Sequence, residues 1–169
     1  MAERALPLVT DGSANDAPSA PSPWPSSWSL SADGAHLAGM TAVELAGRFG
    51  TPLLVFDEAD VVSRLRAARG AFPKVFYAVK AFTAHALLRL ALDEGLDLLA
   101  ASGGEMEACL RAGAPASRIA LHGRNKSEDE LEMAVRSRLG LLIVDGAEEL
   151  RRLEAVAATV ESSRRASCA

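Results

Sequence analysis

From Pro73 onward the chain alternates short apolar runs with longer stretches whose apolar residues recur at helical spacing. The runs are residues 75–80, 96–102, 119–122 and 141–145. Residues 84–94, 105–112 and 127–139 separate them with a helical pattern, and residues 147–160 repeat it after the last run. Val75, Asp97, Ile119 and Leu141 lie 22 residues apart, each near the start of a run. Strand and helix alternating at one interval predict parallel strands joined by helical crossovers. The repeat length suits an α/β fold, either a doubly wound sheet or a (β/α)8 barrel, and four units make about half a barrel. Ser127-Glu-Asp-Glu130 reads as a capping box, followed by the stripe Leu131, Ala134 and Val135. Gly95 and Gly113 stand where helices stop.

Upstream of the repeat, Thr41 is placed to cap a helix over residues 42–49, which Gly50 ends. Residues 52–57, Pro-Leu-Leu-Val-Phe-Asp, have the look of a strand. Val61, Val62, Leu65, Ala68 and Phe72 then recur at helical spacing. Residues 1–35 hold Pro18, Pro21, Pro23 and Pro25 with many serines, which predicts a mobile segment. Trp24 and Trp28 either pin it to a surface or sit half-exposed in a loop. The expected organisation is therefore a mobile segment over 1–35, then a lead-in of helix, strand and helix over 36–72. The α/β repeat follows over 73–161, and residues 162–169 stand outside it.

Composition narrows the classes. Hydrophobic residues make up 49% of the 169 and charged residues 24%, enough apolar material for a core. The formal net charge of −4 argues against a general nucleic-acid binder, which needs a basic surface. The longest apolar run, residues 139–144, is too short to span a bilayer, so no membrane partner is expected. No secretory h-region follows the first charges, and a cytoplasmic protein is the expectation. The two cysteines, Cys109 and Cys168, lack metal-ligand spacing, so neither a disulfide framework nor a zinc site is expected.

The four runs close on Lys80, Ser102, His122 and Asp145. Parallel α/β folds bind ligands at the carboxyl ends of their strands, so these four side chains define one candidate site. Ser102 and Asp145 are equally suited to a helix cap or a turn. Glu105 is either a site residue or a favourable charge at a helix N-terminus. His122 either faces the site or serves as a strand-end hydrogen bonder. His85 reads as solvated, and Cys109 as core packing beside Ala108 and Ala112. Lys80 has apolar residues on both sides, and alternation puts it on one face with Phe76 and Ala78. Burial disfavours the charged form of an amine, and a neutral amine at a strand end suits carbonyl chemistry. The alternative is a lysine that snorkels to water.

Tyr77-Ala-Val-Lys-Ala-Phe82, with Leu87, Leu88, Ala91 and Gly95, resembles the pyridoxal-phosphate attachment signature of the barrel-type ornithine, arginine and diaminopimelate decarboxylases. Ser102-Gly-Gly-Glu105, His122-Gly-Arg-Asn-Lys-Ser127, Gly50-Thr-Pro-Leu-Leu-Val-Phe-Asp57 and Val144-Asp-Gly-Ala-Glu-Glu-Leu150 are similar to the diaminopimelate branch. The resemblance covers about residues 24–156. It implies part of a (β/α)8 barrel of the alanine-racemase-like type, with residues 52–57 lending a strand to a C-terminal β-domain. It implies pyridoxal 5′-phosphate as cofactor, carried by Lys80, with Ala78, Ser102, Glu105 and His122 as cofactor-binding residues. It implies decarboxylation of meso-2,6-diaminopimelate to L-lysine, a small amino-acid substrate and a homodimer for the full-length family. Another basic-amino-acid decarboxylase, a racemase of the same barrel type and a non-catalytic remnant are the alternatives. Leu99 stands where the family carries an aspartate, with Asp97 on the same face. The motifs of the family's second half do not occur, so the chain reads as an N-terminal half without decarboxylase activity of its own.

Overall fold

A computed structural model of the chain describes residues 24–166. Most of the expected mobile segment, the end of the tail and Cys168 lie outside the described residues. The chain divides into two units, with the boundary between Asp57 and Glu58.

In the first unit, β1 (Ser29–Ser31), β2 (Gly34–Leu37) and β3 (Met40–Thr41) form an antiparallel meander. It begins inside the segment expected to be mobile. The β1–β2 turn passes through Gly34 at φ +119°, a conformation that needs glycine. Trp24 and Trp28 stack on one another, ring centroids 4.9 Å apart. Helix α1 (Ala42–Phe49) has the expected bounds. Thr41 Oγ1 accepts from the Glu44 amide at 3.1 Å, and Glu44 Oε2 accepts from the Thr41 amide at 2.8 Å. Gly50 closes the helix at φ +81°. Residues 52–57 pair with no strand among the described residues, contrary to the strand expectation. An extended segment becomes a strand only when another edge takes up its amides and carbonyls. Here Leu54 stays 70% exposed and Phe56 47%.

The second unit opens with α2 (Glu58–Ala71), then runs β4 (Phe76–Ala78), α3 (His85–Asp93), β5 (Asp97–Ala100), α4 (Gly103–Arg111), β6 (Ile119–His122), α5 (Glu128–Ser137), β7 (Leu141–Ile143) and α6 (Ala147–Ala166). The four strands form one parallel sheet in sequence order, β4-β5-β6-β7. Four consecutive βα units in a single parallel sheet are the partial barrel expected. Each strand is shorter than its apolar run, because the run also feeds the turn into the next helix. Helix α4 starts at Gly103 rather than Glu105, because Ser102 is its cap. Helix α5 stops at Ser137, with Arg138 left-handed at φ +56°, and α6 runs past Val160 to Ala166.

The register sorts the strand residues into two faces. Tyr77, Leu98, Ala100, Ile119, Leu121 and Leu142 point to the side where the helices pack. There they join Leu88, Ala91, Met106 and Cys109, all fully buried, in one core. The other face carries Phe76, Ala78, Asp97, Leu99, Ala120, His122, Leu141 and Ile143. Of these only Ala120 is buried, and Leu141 is 44% exposed. This face corresponds to a barrel interior.

Candidate active site

Parallel strands in sequence order bring their carboxyl ends to one edge of the sheet, and all four run-closing residues follow those ends. At β4 the ladder stops at Ala78 and the chain enters a single 3-10 turn, Val79–Ala81. Val79 is fully buried in the core and anchors this turn, while the Tyr77 hydroxyl donates to the Phe82 carbonyl at 3.1 Å across it. Lys80 therefore projects from a turn, not from a strand. It is exposed, which is the snorkelling reading and not the buried one, because the face beside it is the uncovered one.

The chain has three lysines, and two are committed. Lys74 Nζ lies 3.0 Å from Asp97, and Lys126 Nζ lies 2.6 Å from Glu149. Lys80 makes no hydrogen bond or ion pair among the described residues. Its amine is thus the one left available for chemistry.

At β5 the next edge residue, Ser102, accepts from the Glu105 amide at 3.3 Å, and Glu105 Oε2 accepts from the Ala101 amide at 2.7 Å. Both side chains shape the start of α4. Glu130, at the start of α5, reaches across and accepts from the Gly103 amide at 2.7 Å and the Ser127 amide at 2.9 Å. Those two backbone bonds hold its carboxyl below the usual glutamate range. At β6, His122 is exposed and lies in register with Ile143. Asp145 is exposed after β7, and its amide donates to Glu149 Oε1 at 3.3 Å.

Asp97 lies at the opposite end of the sheet from Lys80. Its oxygens take Lys74 and Arg118 at 3.0 Å each. Burial pushes its carboxyl up, but hydrogen bonds from Arg118 and Lys74 outweigh that and hold it below the usual range. It fastens the amino end of β5, and on the face beside Lys80 the corresponding position is apolar Leu99.

Sequence reasoning missed the Lys126–Glu149 pair, and it read Glu130 only as part of a capping box, without its reach to Gly103. Lys126 precedes the helix cap Ser127 among polar neighbours, with nothing local to mark it as buried. It is 1% exposed, because Gly123, Ile143 and Glu149 converge on it. No local sequence signal marks a partner 23 positions away.

A free amine at the carboxyl edge of a parallel sheet, beside a face kept shallow by Ala78 and Ala120, suits an enzyme that holds an aldehyde cofactor covalently at the mouth of a (β/α)8 barrel. Residues 58–167 match the family described as pyridoxal-dependent decarboxylase, pyridoxal binding domain, and the chain belongs to that family. The match begins where the second unit begins. Diaminopimelate decarboxylase of Bacillus subtilis is 43% identical over 125 residues, which are 70% of this chain and 28% of the relative. Among solved structures, AQ1208 from Aquifex aeolicus superposes with a TM-score of 0.76 at 34% identity, covering 80% of this chain and 34% of that one. Diaminopimelate decarboxylase from Helicobacter pylori, complexed with L-lysine, does so with a TM-score of 0.65 at 27% identity, covering 70% and 31%. The chain thus spans about a third of the length of the relatives it matches. The cofactor of the family is pyridoxal phosphate, and the donor set at this edge fits it. The amine is uncommitted, small side chains leave the neighbouring face open, and an exposed imidazole stands two strands away.

Among the described residues, no helix is long and apolar enough to cross a membrane.

Proposed function

We propose that this chain is the cofactor-holding part of a decarboxylase that converts meso-2,6-diaminopimelate to L-lysine. The single observation that carries the proposal is Lys80. It is the one lysine of three with no structural commitment, it sits within Tyr77-Ala-Val-Lys-Ala-Phe82, and it stands at the edge where parallel α/β folds place ligands. The similarity to diaminopimelate decarboxylases supports the substrate. A soluble cytoplasmic homodimer is the setting proposed for the whole enzyme.

When bound, pyridoxal phosphate supplies an electron sink for the carbanion left as carbon dioxide departs. The chain's own residues supply position. The buried Val79 holds the turn that presents Lys80, so the amine would hold the cofactor from a fixed backbone. Ala78 leaves room for a flat ring against the open face. Ser102 and Glu105 would act through the start of α4, which they shape, and His122 would flank the cofactor from the end of β6. Leu99 leaves the position beside Lys80 without a carboxylate, since the Asp97 carboxylate on the same face is held at the other end of the sheet by Lys74 and Arg118.

Incubation of the purified chain with pyridoxal phosphate, followed by borohydride reduction and peptide mapping, tests this reading. Fixation concentrated on Lys80 is expected. Label shared evenly among Lys74, Lys80 and Lys126, or concentrated on Lys74, would overturn it.

A further inference from the structure

The least accessible charged side chain at this edge belongs to neither the cofactor residues nor the hydrophobic core. Lys126 is 1% exposed, and its partner Glu149 is 4% exposed. An ammonium has three protons to donate. Lys126 spends them on Gly123 O at 2.7 Å, Ile143 O at 2.9 Å and Glu149 Oε1 at 2.6 Å. The two carbonyls belong to segments that have just left the sheet or are about to, where ladder bonds run out. Glu149 Oε1 also accepts from the Asp145 amide, and Arg152 donates to the Lys126 carbonyl at 2.7 Å.

The loop that Lys126 closes is gripped from its other side as well. A Cβ on Gly123 would lie 2.4 Å from the Ala101 carbonyl oxygen, so the loop passes against the end of β5 with no space for a side chain. Residues 123–126 are therefore wedged between the ends of β5 and β7. Ile143, whose carbonyl accepts from Lys126, is also the residue in register with His122.

We propose that Lys126 and Glu149 are positioning residues whose buried pair locks the β6–α5 loop between the ends of β5 and β7 and so fixes where His122 stands at the site. The inference rests on the proposed cofactor role of this edge and deepens it. An apolar pair of similar volume would hold the two elements together about as well, since desolvating two charges offsets much of their attraction. The ion pair adds direction. Three acceptors are held at set distances, which fixes one loop conformation where apolar contact would accept several.

Lys126→Met with Glu149→Leu leaves neither charge buried alone. The double variant is expected to keep its helix content, with a lower thermal midpoint because the Gly123 and Ile143 carbonyls and the Asp145 amide lose their partners. Amide exchange over residues 123–126 should quicken by about tenfold or more as the loop opens. Retention of pyridoxal phosphate should weaken by about tenfold, with Lys80 still the residue fixed by borohydride at saturation. Exchange at the parent rate would overturn the proposal, as would faster exchange with retention within about twofold of the parent. Should the double variant fail to fold, Glu149→Gln, which keeps the acceptor for Lys126 and the Asp145 amide, is read by the same measurements. Its expected exchange and retention lie between parent and loss, and parent-like values in both would overturn the proposal. If the parent chain itself is not fixed at Lys80, the cofactor reading fails, and the exchange rates alone decide whether the pair locks the loop.

Discussion

Gly140→Ala tests the packing that holds the sheet together at the edge opposite the site. The Gly140 amide donates to the Ala116 carbonyl at 2.9 Å, just before β7. An ideal Cβ at this position would lie 1.9 Å from the Ser117 carbonyl oxygen, and real Cβ atoms do not approach closer than 3.0 Å. The backbones must part by at least the difference, 3.0 − 1.9 = 1.1 Å. Ser117 belongs to the 3-10 turn Ala116–Arg118, whose arginine grips Asp97 at 3.0 Å and the Leu96 carbonyl at 2.7 Å. Relaxation thus breaks the Gly140 bond or drags the Arg118 network. A lost hydrogen bond costs about 1 kcal/mol and overpacking about 1–3 kcal/mol, so the expected loss is about 2–4 kcal/mol. With a urea dependence of about 2 kcal/mol/M, the midpoint followed by far-UV circular dichroism should fall by about 1–2 M. Gly70 in α2 meets nothing within 4 Å, and Gly70→Ala should raise stability by about 0.5–1 kcal/mol. A Gly140→Ala midpoint equal to or above the parent's would refute the close crossing.

Three further outcomes follow from the same structure. Leu98→Ala, at a fully buried position on a central strand, should cost about 3–5 kcal/mol by denaturant titration. Asp97, Glu130 and Glu149 all titrate below their usual ranges when folded. Their contribution is therefore complete above the unfolded carboxyl values near about 4 and is lost as pH falls through the folded ones. Stability measured downward from neutral pH should drop across that window, with a shallower drop in Asp97→Asn. Burial, and then the nearby Glu105 charge, push the Cys109 thiol up from 9.0 to about 11. Folded protein should therefore leave Cys109 unalkylated at mildly alkaline pH, with peptide mapping to separate it from Cys168. The share of stability owed to the buried thiol should decline as pH rises from about 9 to about 11.

The alternation of apolar runs and helical stripes, with its even interval, was enough to place four parallel strands and their helices, because periodicity is a local property that each segment carries alone. Caps were equally legible. Thr41, Ser127, Gly50, Gly95 and Gly113 act through atoms a few residues away, and each stands where its helix begins or ends. The attachment motif around Lys80 was visible for the same reason. What depended on distant partners was not. Residues 52–57 have the composition of a strand and meet no edge among the described residues, and the start of the meander, up to residue 35, lay in the segment expected to be mobile. Lys80 proved to be exposed because one face of the sheet lies open, a fact about neighbouring strands and not about the residues beside it. Lys126 is buried only because Ile143 and Glu149 close on it, and Asp97 takes its partners from two other segments. Local pattern determined which elements form and where they end. Burial, and with it which lysine is structural and which is free, is a sum over segments far apart in the chain, so only the assembled sheet decided it.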